Sequence, residues 1–117
     1  MIRLTILYPN TTGSRFDKEY YLQTHMPLSL KLQGAAVKQV SVEFGFSGGL
    51  PGSPPAYIAI CNFLYDSFEA FQAAFMPHAD VLMKDILNYT DTQAIIQFSG
   101  VMLDSSQKES HRFAPVE

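Results

Sequence analysis

The chain has 117 residues, which is enough for one domain with a single core and too few for two independently folded halves. Hydrophobic residues make up 47% and charged residues only 16%, so a disordered chain is excluded and some apolar surface is expected to be covered by a second copy. The formal net charge is −3 and Lys and Arg form no cluster, which argues against nucleic acids and membranes as partners.

Cysteine and histidine usage limits the possible chemistry further. Cys61 is the only cysteine, which excludes an intrachain disulfide framework and a cysteine-based zinc site and favours a reducing compartment. Three histidines without a carboxylate at a ligand spacing predict no metal site. The N-terminal sequence lacks a signal-type apolar run and no stretch approaches the length of a membrane span, so we predict a cytoplasmic protein.

The first elements predicted along the chain are a strand and a disturbed helix. Residues 2 to 8 alternate between apolar and other side chains, as in a strand. Ser14 or Asp17 can cap the helix that follows, because their short side chains accept hydrogen bonds from free N–H groups. Pro27 has no N–H to donate, so the helix is expected to kink or pause near His25.

The rest of the chain predicts two hairpin strands, a second helix and a last strand. Residues 37 to 46 alternate as the second strand, and residues 57 to 65 are apolar almost throughout, as in a strand covered on both faces. The Gly- and Pro-rich stretch 47 to 55 joins them as a loop. A D-x-x-E capping box beginning at Asp66 opens the second helix, and residues 93 to 103 alternate as the fourth strand.

The element order βαββαβ predicts an α+β, ferredoxin-like fold with a four-stranded antiparallel sheet and two helices on one face. The uncovered sheet face is expected to pack against a second copy, sheet against sheet, which gives a homodimer built as a dimeric α/β barrel. We assign residues 1–103 to this domain, and residues 104–117 to a polar C-terminal tail or partner-wrapping arm.

Several motifs on this predicted framework carry a family resemblance. The first helix contains F-x-x-x-Y-Y-x-x-x-H-x-P-L from Phe16 to Leu28, and N-Y-T-D at 88–91 and Q-F at 97–98 follow later. With these motifs, residues 1–103 resemble the EthD family of the dimeric α+β barrel superfamily. The resemblance implies a ferredoxin-like fold and a homodimer. EthD takes its name from ethyl tert-butyl ether degradation, where it is an accessory protein without an assigned reaction.

The resemblance also implies a type of ligand. Relatives on the same fold include muconolactone isomerases, polyketide cyclases and quinone-forming monooxygenases that work without a cofactor, and some barrels of this fold bind haem. They handle small, often aromatic molecules in a pocket between the sheet and the first helix. A small hydrophobic ligand and no cofactor are therefore expected, although fold alone does not fix function.

His25 is the strongest candidate for chemistry. Its imidazole titrates near neutral pH, and a turn disturbed by Pro27 leaves a free carbonyl and room for a ligand. The alternative is a structural histidine bonded to a backbone carbonyl. Tyr21 precedes His25 by four residues, so the two share a helix face and can act together. We predict both as catalytic residues, with His25 as general acid or base.

Four more residues form the predicted substrate-binding set: Tyr20, His78, Phe44 and Phe63. Tyr20 points away from Tyr21 and also suits an ordinary core position beside Phe16. His78 follows Pro77 at a break between helical segments, where an exposed histidine is the plainer alternative.

Two functions fit these candidate site residues. One is a cofactor-independent enzyme of the isomerase, cyclase or monooxygenase type that acts on a small hydrophobic or aromatic metabolite. The other is a non-catalytic dimeric binding or accessory protein in a degradation pathway, because the sequence shows no set of nucleophile, base and orienting residue.

Overall fold

The computed structural model describes residues 1–105 and contains the elements in the predicted order. The strands are β1 Ile2–Pro9, β2 Gln39–Phe44, β3 Tyr57–Tyr65 and β4 Ile95–Gly100. The helices are α1 Lys18–Tyr20, α2 Met26–Gln33, α3 Phe68–Phe75 and α4 Ala79–Asp85. A π-helical turn, Tyr21–His25, joins α1 to α2, and 3-10 turns follow the other helices at Gly34–Ala36, Met76–His78 and Ile86–Asn88. None of the helices within residues 1–105 is long and apolar enough to cross a bilayer.

The four strands form one antiparallel sheet in the order β2-β3-β1-β4. The central strands β1 and β3 are joined through the first helical segment (α1 to α2) and β2, and β4 returns after the second helical segment (α3 to α4) to pair with β1. The predicted α+β arrangement of a four-stranded antiparallel sheet and two helices is confirmed. The dimeric barrel stays a prediction.

The core lies between the sheet and the helical segments. Leu4 and Tyr8 are the buried residues of β1, whose other residues are half-buried. Cys61, Phe63 and Tyr65 of β3 share the face of the sheet on which Leu4 and Tyr8 lie. Burying these side chains removes apolar area from water, which is the main force that holds the helices on the sheet. Cys61 is fully buried in this core.

The opposite face of the sheet carries both apolar and polar side chains. Leu7 pairs with Ile60 of β3 and with Ile95 of β4, which gives an apolar row across three strands. Two residues away from Leu7 on the same face, the hydroxyl of Thr5 donates to Oδ1 of Asn62 at 2.8 Å. The face of β3 that points away from the helices is therefore apolar only in part. The sequence pattern predicts a strand that is covered by apolar contacts on both faces.

The first helical segment contains the disturbance that Pro27 predicts. Asp17 is the N-cap, and its Oδ1 accepts from the Tyr20 backbone N–H at 3.0 Å. The N–H of Met26 bonds to the carbonyl of Tyr21, five residues back, so the chain makes a π turn before α2 resumes. Pro27 has no N–H for a hydrogen bond to the carbonyl four residues earlier. A wider turn before α2 accommodates this missing hydrogen bond.

The predicted start of the second helix is wrong by one residue. Ser67, not Asp66, is the N-cap of α3, and its Oγ accepts from the backbone N–H of Ala70 at 3.0 Å. Strands β2 and β4 are also shorter at both ends than the alternation predicts. Asp104, the first residue of the predicted tail, forms an ion pair with Arg3 at 3.1 Å. Residues 106–117 of that tail lie outside the described residues.

Candidate active site

A cavity of about 640 Å³ lies between the helix-facing side of the sheet and the two helical segments. Its walls are mainly apolar and include Leu4, Ile6, Phe63, Phe71 and Leu82. Met83 of α4 and Ile96 of β4 also line it and are 59% and 54% exposed, so the cavity opens to solvent between these two elements. Its size and apolar walls are those of a site for a small organic molecule.

The first helical segment supplies the polar wall of the cavity. Tyr21, His25, Ser29 and Gln33 recur at every fourth position and all line it. This spacing brings side chains onto one helix face. The rings of Tyr21 and His25 are stacked, with centroids 5.7 Å apart and planes 13° from parallel. The wall therefore presents a histidine and a tyrosine side by side.

His25 is held by a carboxylate from the other helical segment. Its Nδ1 lies 2.8 Å from Oδ2 of Asp85, the last residue of α4. Asp85 also accepts hydrogen bonds from the Tyr20 hydroxyl at 2.6 Å and from Nδ2 of Asn88 at 3.0 Å. Within residues 1–105, Nε2 of His25 has no hydrogen-bond partner, and the ring borders the cavity.

The pKa shifts fix the charge state of this pair. Burial lowers the pKa of His25, and the hydrogen bond and charge of Asp85 only partly offset this effect. Burial raises the pKa of Asp85, but hydrogen bonds from Tyr20, Asn88 and His25 outweigh it and leave the pKa below its ordinary value. At neutral pH the pair is thus a neutral imidazole and a carboxylate. Because a carboxylate only accepts, Nδ1 carries the proton and Nε2 keeps a lone pair.

A cluster of buried tyrosines surrounds the histidine. The hydroxyls of Tyr8 and Tyr89 lie 2.7 Å apart, and the Tyr89 ring centroid is 4.7 Å from that of His25. Burial raises the pKa of Tyr8, Tyr21 and Tyr89, so all three hydroxyls stay protonated. When one hydroxyl of the Tyr8 and Tyr89 pair donates to the other, the second still has a hydrogen to offer to a ligand oxygen.

Cys61 is next to this cluster but is not a nucleophile in this state. Burial raises the pKa of its thiol to about 11, and its hydrogen-bond partner is Tyr21. The thiolate is the reactive form of cysteine, and this surrounding disfavours it. Within residues 1–105, no group of three or more His, Cys, Asp or Glu side chains is placed to hold a metal ion.

The structure brings together at the cavity three of the predicted site residues: His25, Tyr21 and Phe63. Tyr20 lies behind them and bonds to Asp85 instead of lining the cavity. Phe44 packs on the core, with the Lys18 ammonium 5.2 Å from its ring centroid. His78 lies in the 3-10 turn after α3. Neither Phe44 nor His78 is among the residues of the described part, 1–105, that line the cavity.

A family model matches most of the chain. Residues 9–93 match the EthD domain, a span that includes both helical segments, β2, β3, His25 and Asp85. The chain belongs to the EthD family. No functionally curated protein matches the chain.

Solved structures of EthD proteins show the same fold. An EthD-like protein from Ralstonia eutropha is 40% identical, with 91% of this chain and 96% of that chain covered and a TM-score of 0.86. An ethyl tert-butyl ether D (EthD) family protein from Bacillus halodurans is 23% identical, with coverages of 87% and 99% and a TM-score of 0.67. An Arabidopsis thaliana protein at 14% identity, with coverages of 90% and 99% and a TM-score of 0.63, shares the fold.

Several residues of this EthD site were not found from the sequence. Asp85 has no local signal, because 60 residues separate it from His25 and only the packing of α4 brings them together. Tyr8 and Tyr89 read as a strand residue and a turn residue. Ser29 and Gln33 could have been found, since they continue the four-residue spacing of polar side chains that begins at Tyr21.

Proposed function

We propose that this EthD protein is a cofactor-independent enzyme in which His25 removes a proton from a small hydrophobic or aromatic substrate. The observation that carries the proposal is the 2.8 Å contact between Nδ1 of His25 and Oδ2 of Asp85, which leaves Nε2 as a base at the cavity. Isomerisation, cyclisation and oxygenation of an activated substrate can each begin with the loss of such a proton. The common step is therefore general-base catalysis.

The first step follows from the positions of the polar groups. Nε2 of His25 takes a proton from a carbon next to a carbonyl, and the electron pair of that C–H bond moves onto the carbonyl oxygen as an enolate. The imidazolium that forms keeps its Nδ1–H directed at Asp85, whose negative charge stabilises it. A hydroxyl of the Tyr8 and Tyr89 pair can donate to the enolate oxygen.

The second step decides the type of product. Return of the proton from His25 to a different carbon completes an isomerisation. Attack of the enolate carbon on a second carbonyl of the same molecule completes a cyclisation, and the new alkoxide takes the proton. The mainly apolar walls lower the local polarity, which strengthens the interaction between His25 and Asp85.

An elimination reaction that needs only a base and an apolar pocket tests the proposal without knowledge of the natural substrate. A base removes the ring C–H of nitrobenzisoxazole, the N–O bond breaks, and a coloured cyanonitrophenolate forms. We expect the protein to accelerate this reaction above imidazole buffer of equal concentration, and His25→Asn to lower the rate by roughly 10² to 10⁴.

The same experiment separates the enzyme from a binding or accessory protein. His25→Asn is first shown to keep the wild-type circular dichroism spectrum, so that loss of rate is not loss of fold. If the wild type binds the compound but reacts no faster than this variant, proton abstraction by His25 is wrong and the non-catalytic function takes its place.

We also propose that the protein is a homodimer that packs through the open sheet face. The apolar row of Leu7, Ile60 and Ile95 supports this, because no helix within residues 1–105 covers that face. Light scattering is expected to give twice the chain mass of 13.1 kDa, and Ile60→Lys to give the single mass. A wild-type protein of single mass would contradict the dimer.

A further inference from the structure

A second polar group lies on the cavity wall beyond His25. Ser29 and Gln33 are only 4% and 7% exposed, and both line the cavity. The Tyr65 hydroxyl donates to Oε1 of Gln33, and Nε2 of Gln33 donates to Oγ of Ser29 at 3.0 Å. These three residues come from α2 and β3 and take no part in the proton transfer described above.

These hydrogen bonds leave one hydrogen of the Gln33 amide and the hydroxyl hydrogen of Ser29 available for a ligand. An amide nitrogen has two hydrogens, and the bond to Ser29 uses one of them. The Ser29 hydroxyl accepts that bond and keeps its own hydrogen. Within residues 1–105, no acceptor bonds to either remaining hydrogen. Buried polar hydrogens normally find a partner, so a ligand in the cavity is the natural acceptor.

Tyr65 sets the direction of the amide. In this arrangement the Tyr65 hydroxyl donates to the amide oxygen, so the oxygen faces Tyr65 and the nitrogen faces Ser29. Burial raises the pKa of Tyr65, so this donor stays protonated. The wall therefore presents donors at this point.

We infer that Ser29 and Gln33 form a second anchor that binds a neutral oxygen acceptor of the ligand, such as a ketone or ester carbonyl. Among residues 1–105, no Lys or Arg side chain lines the cavity, and Asp91 adds a negative charge to the lining. Moving a carboxylate into this apolar site without a positive partner is costly, which favours an uncharged oxygen.

The helix sets the length of the ligand. Ser29 and Gln33 follow His25 by four and eight residues, which at the helical rise is ~6 Å and ~12 Å along the axis. Taken with the proposed function, on which this step rests, the substrate is an elongated aromatic or alicyclic molecule. It loses a proton at the end beside His25, and its carbonyl oxygen lies ~6 to ~12 Å from that end, beside Ser29 and Gln33.

A pair of ligands that differ in one oxygen tests the anchor. Acetylnaphthalene and ethylnaphthalene have the same ring system, but only the first carries a carbonyl. We expect the full-length protein to bind acetylnaphthalene more tightly in a fluorescence titration. Ser29→Ala is expected to reduce the ratio of the two dissociation constants roughly two- to tenfold, the worth of one hydrogen bond.

Two more variants keep the result interpretable. Tyr65→Phe keeps the ring and removes only the hydroxyl that directs Gln33, so it is also expected to reduce the ratio. Ser105→Ala, at an exposed position, is a matched serine substitution and is expected to keep the wild-type ratio. Equal ratios in the wild type, Ser29→Ala and Tyr65→Phe would overturn the anchor.

The titration measures binding, whereas the elimination reaction measures proton transfer. A protein that prefers acetylnaphthalene but does not accelerate elimination keeps the anchor and loses the proposed catalysis. A protein that accelerates elimination but binds both naphthalenes alike keeps the catalysis and loses the anchor.

Discussion

Nδ1 of His25 lies 2.8 Å from Oδ2 of Asp85, across the contact between the first helical segment and the end of α4. The contact gives the histidine one tautomer and one orientation, because the carboxylate can only accept a hydrogen bond. Tyr20 and Asn88 hold Asp85 from other directions. Asp85 is thus a positioning residue that acts through His25.

Asp85→Asn is expected to weaken base catalysis strongly while the protein stays folded. The amide can still accept from Tyr20, but its NH₂ group would donate to Nδ1 of His25 and move the imidazole proton to Nε2. A protonated Nε2 cannot remove a proton, so the elimination rate is expected to fall by about 10²-fold or more. Rates are measured with nitrobenzisoxazole.

Asp80→Asn is the matched control, since Asp80 is exposed on the same helix. Its elimination rate is expected to equal that of the wild type. Equal rates for Asp85→Asn and Asp80→Asn would show that the carboxylate does not set the tautomer of His25.

The rate of elimination is expected to rise with pH through a pKa below 6.5, the ordinary value for histidine. Burial lowers the pKa of His25 more than Asp85 raises it, and the neutral imidazole is the active form. The profile of kcat/KM is therefore level at neutral pH and falls on the acid side. An inflection at or above the ordinary value would contradict a buried base.

The free energy of unfolding is expected to fall as the pH drops below 6.5, the unfolded-state pKa of His25. Because the folded pKa of His25 is lower, the unfolded chain binds this proton first and gains stability relative to the folded protein. Asp85 acts in the same direction below 3.8, since its folded pKa is also depressed.

Urea unfolding at about pH 7.5 and about pH 5.5 measures the histidine contribution. His25→Gln removes the titrating group, so its difference in unfolding free energy between the two pH values is expected to be smaller than that of the wild type. A larger or unchanged difference would show that His25 is not the group responsible.

Ser67→Ala is expected to destabilise the protein by about 1 kcal/mol, because it removes the N-cap of α3. Asp66→Ala removes only an exposed carboxylate 3.7 Å from Lys38 Nζ, and its expected cost is within about 0.5 kcal/mol. Denaturant midpoints of the two variants give the comparison. A larger loss for Asp66→Ala would place the cap where the sequence pattern predicts it.

Much of the fold follows from local patterns. The alternation in residues 2 to 8 and the apolar run 57 to 65 predict β1 and β3 to within one residue. Asp17 caps the first helix as predicted, and Pro27 produces the π turn. Asp66 and Ser67 are both residue types that cap helices well. Ser67 is the cap because its backbone is extended, and a sequence pattern does not show this backbone conformation.

The site depends on contacts that are distant in the sequence. His25, Tyr21 and Phe63 could be predicted because a helix face and a strand face place them toward the same core. Asp85 could not, since it meets His25 only after α4 packs beside the first helical segment. For the same reason Tyr20 reads as a core or binding residue and is found to hold Asp85.

The tautomer of His25 in the free protein tests proton abstraction at this site most directly. A long-range ¹H–¹⁵N correlation spectrum at neutral pH, with His25→Asn to assign the signals, distinguishes the two ring nitrogens. We expect a neutral ring with the proton on Nδ1 and an unprotonated Nε2. A proton on Nε2, or an imidazolium at neutral pH, would contradict His25 as the base.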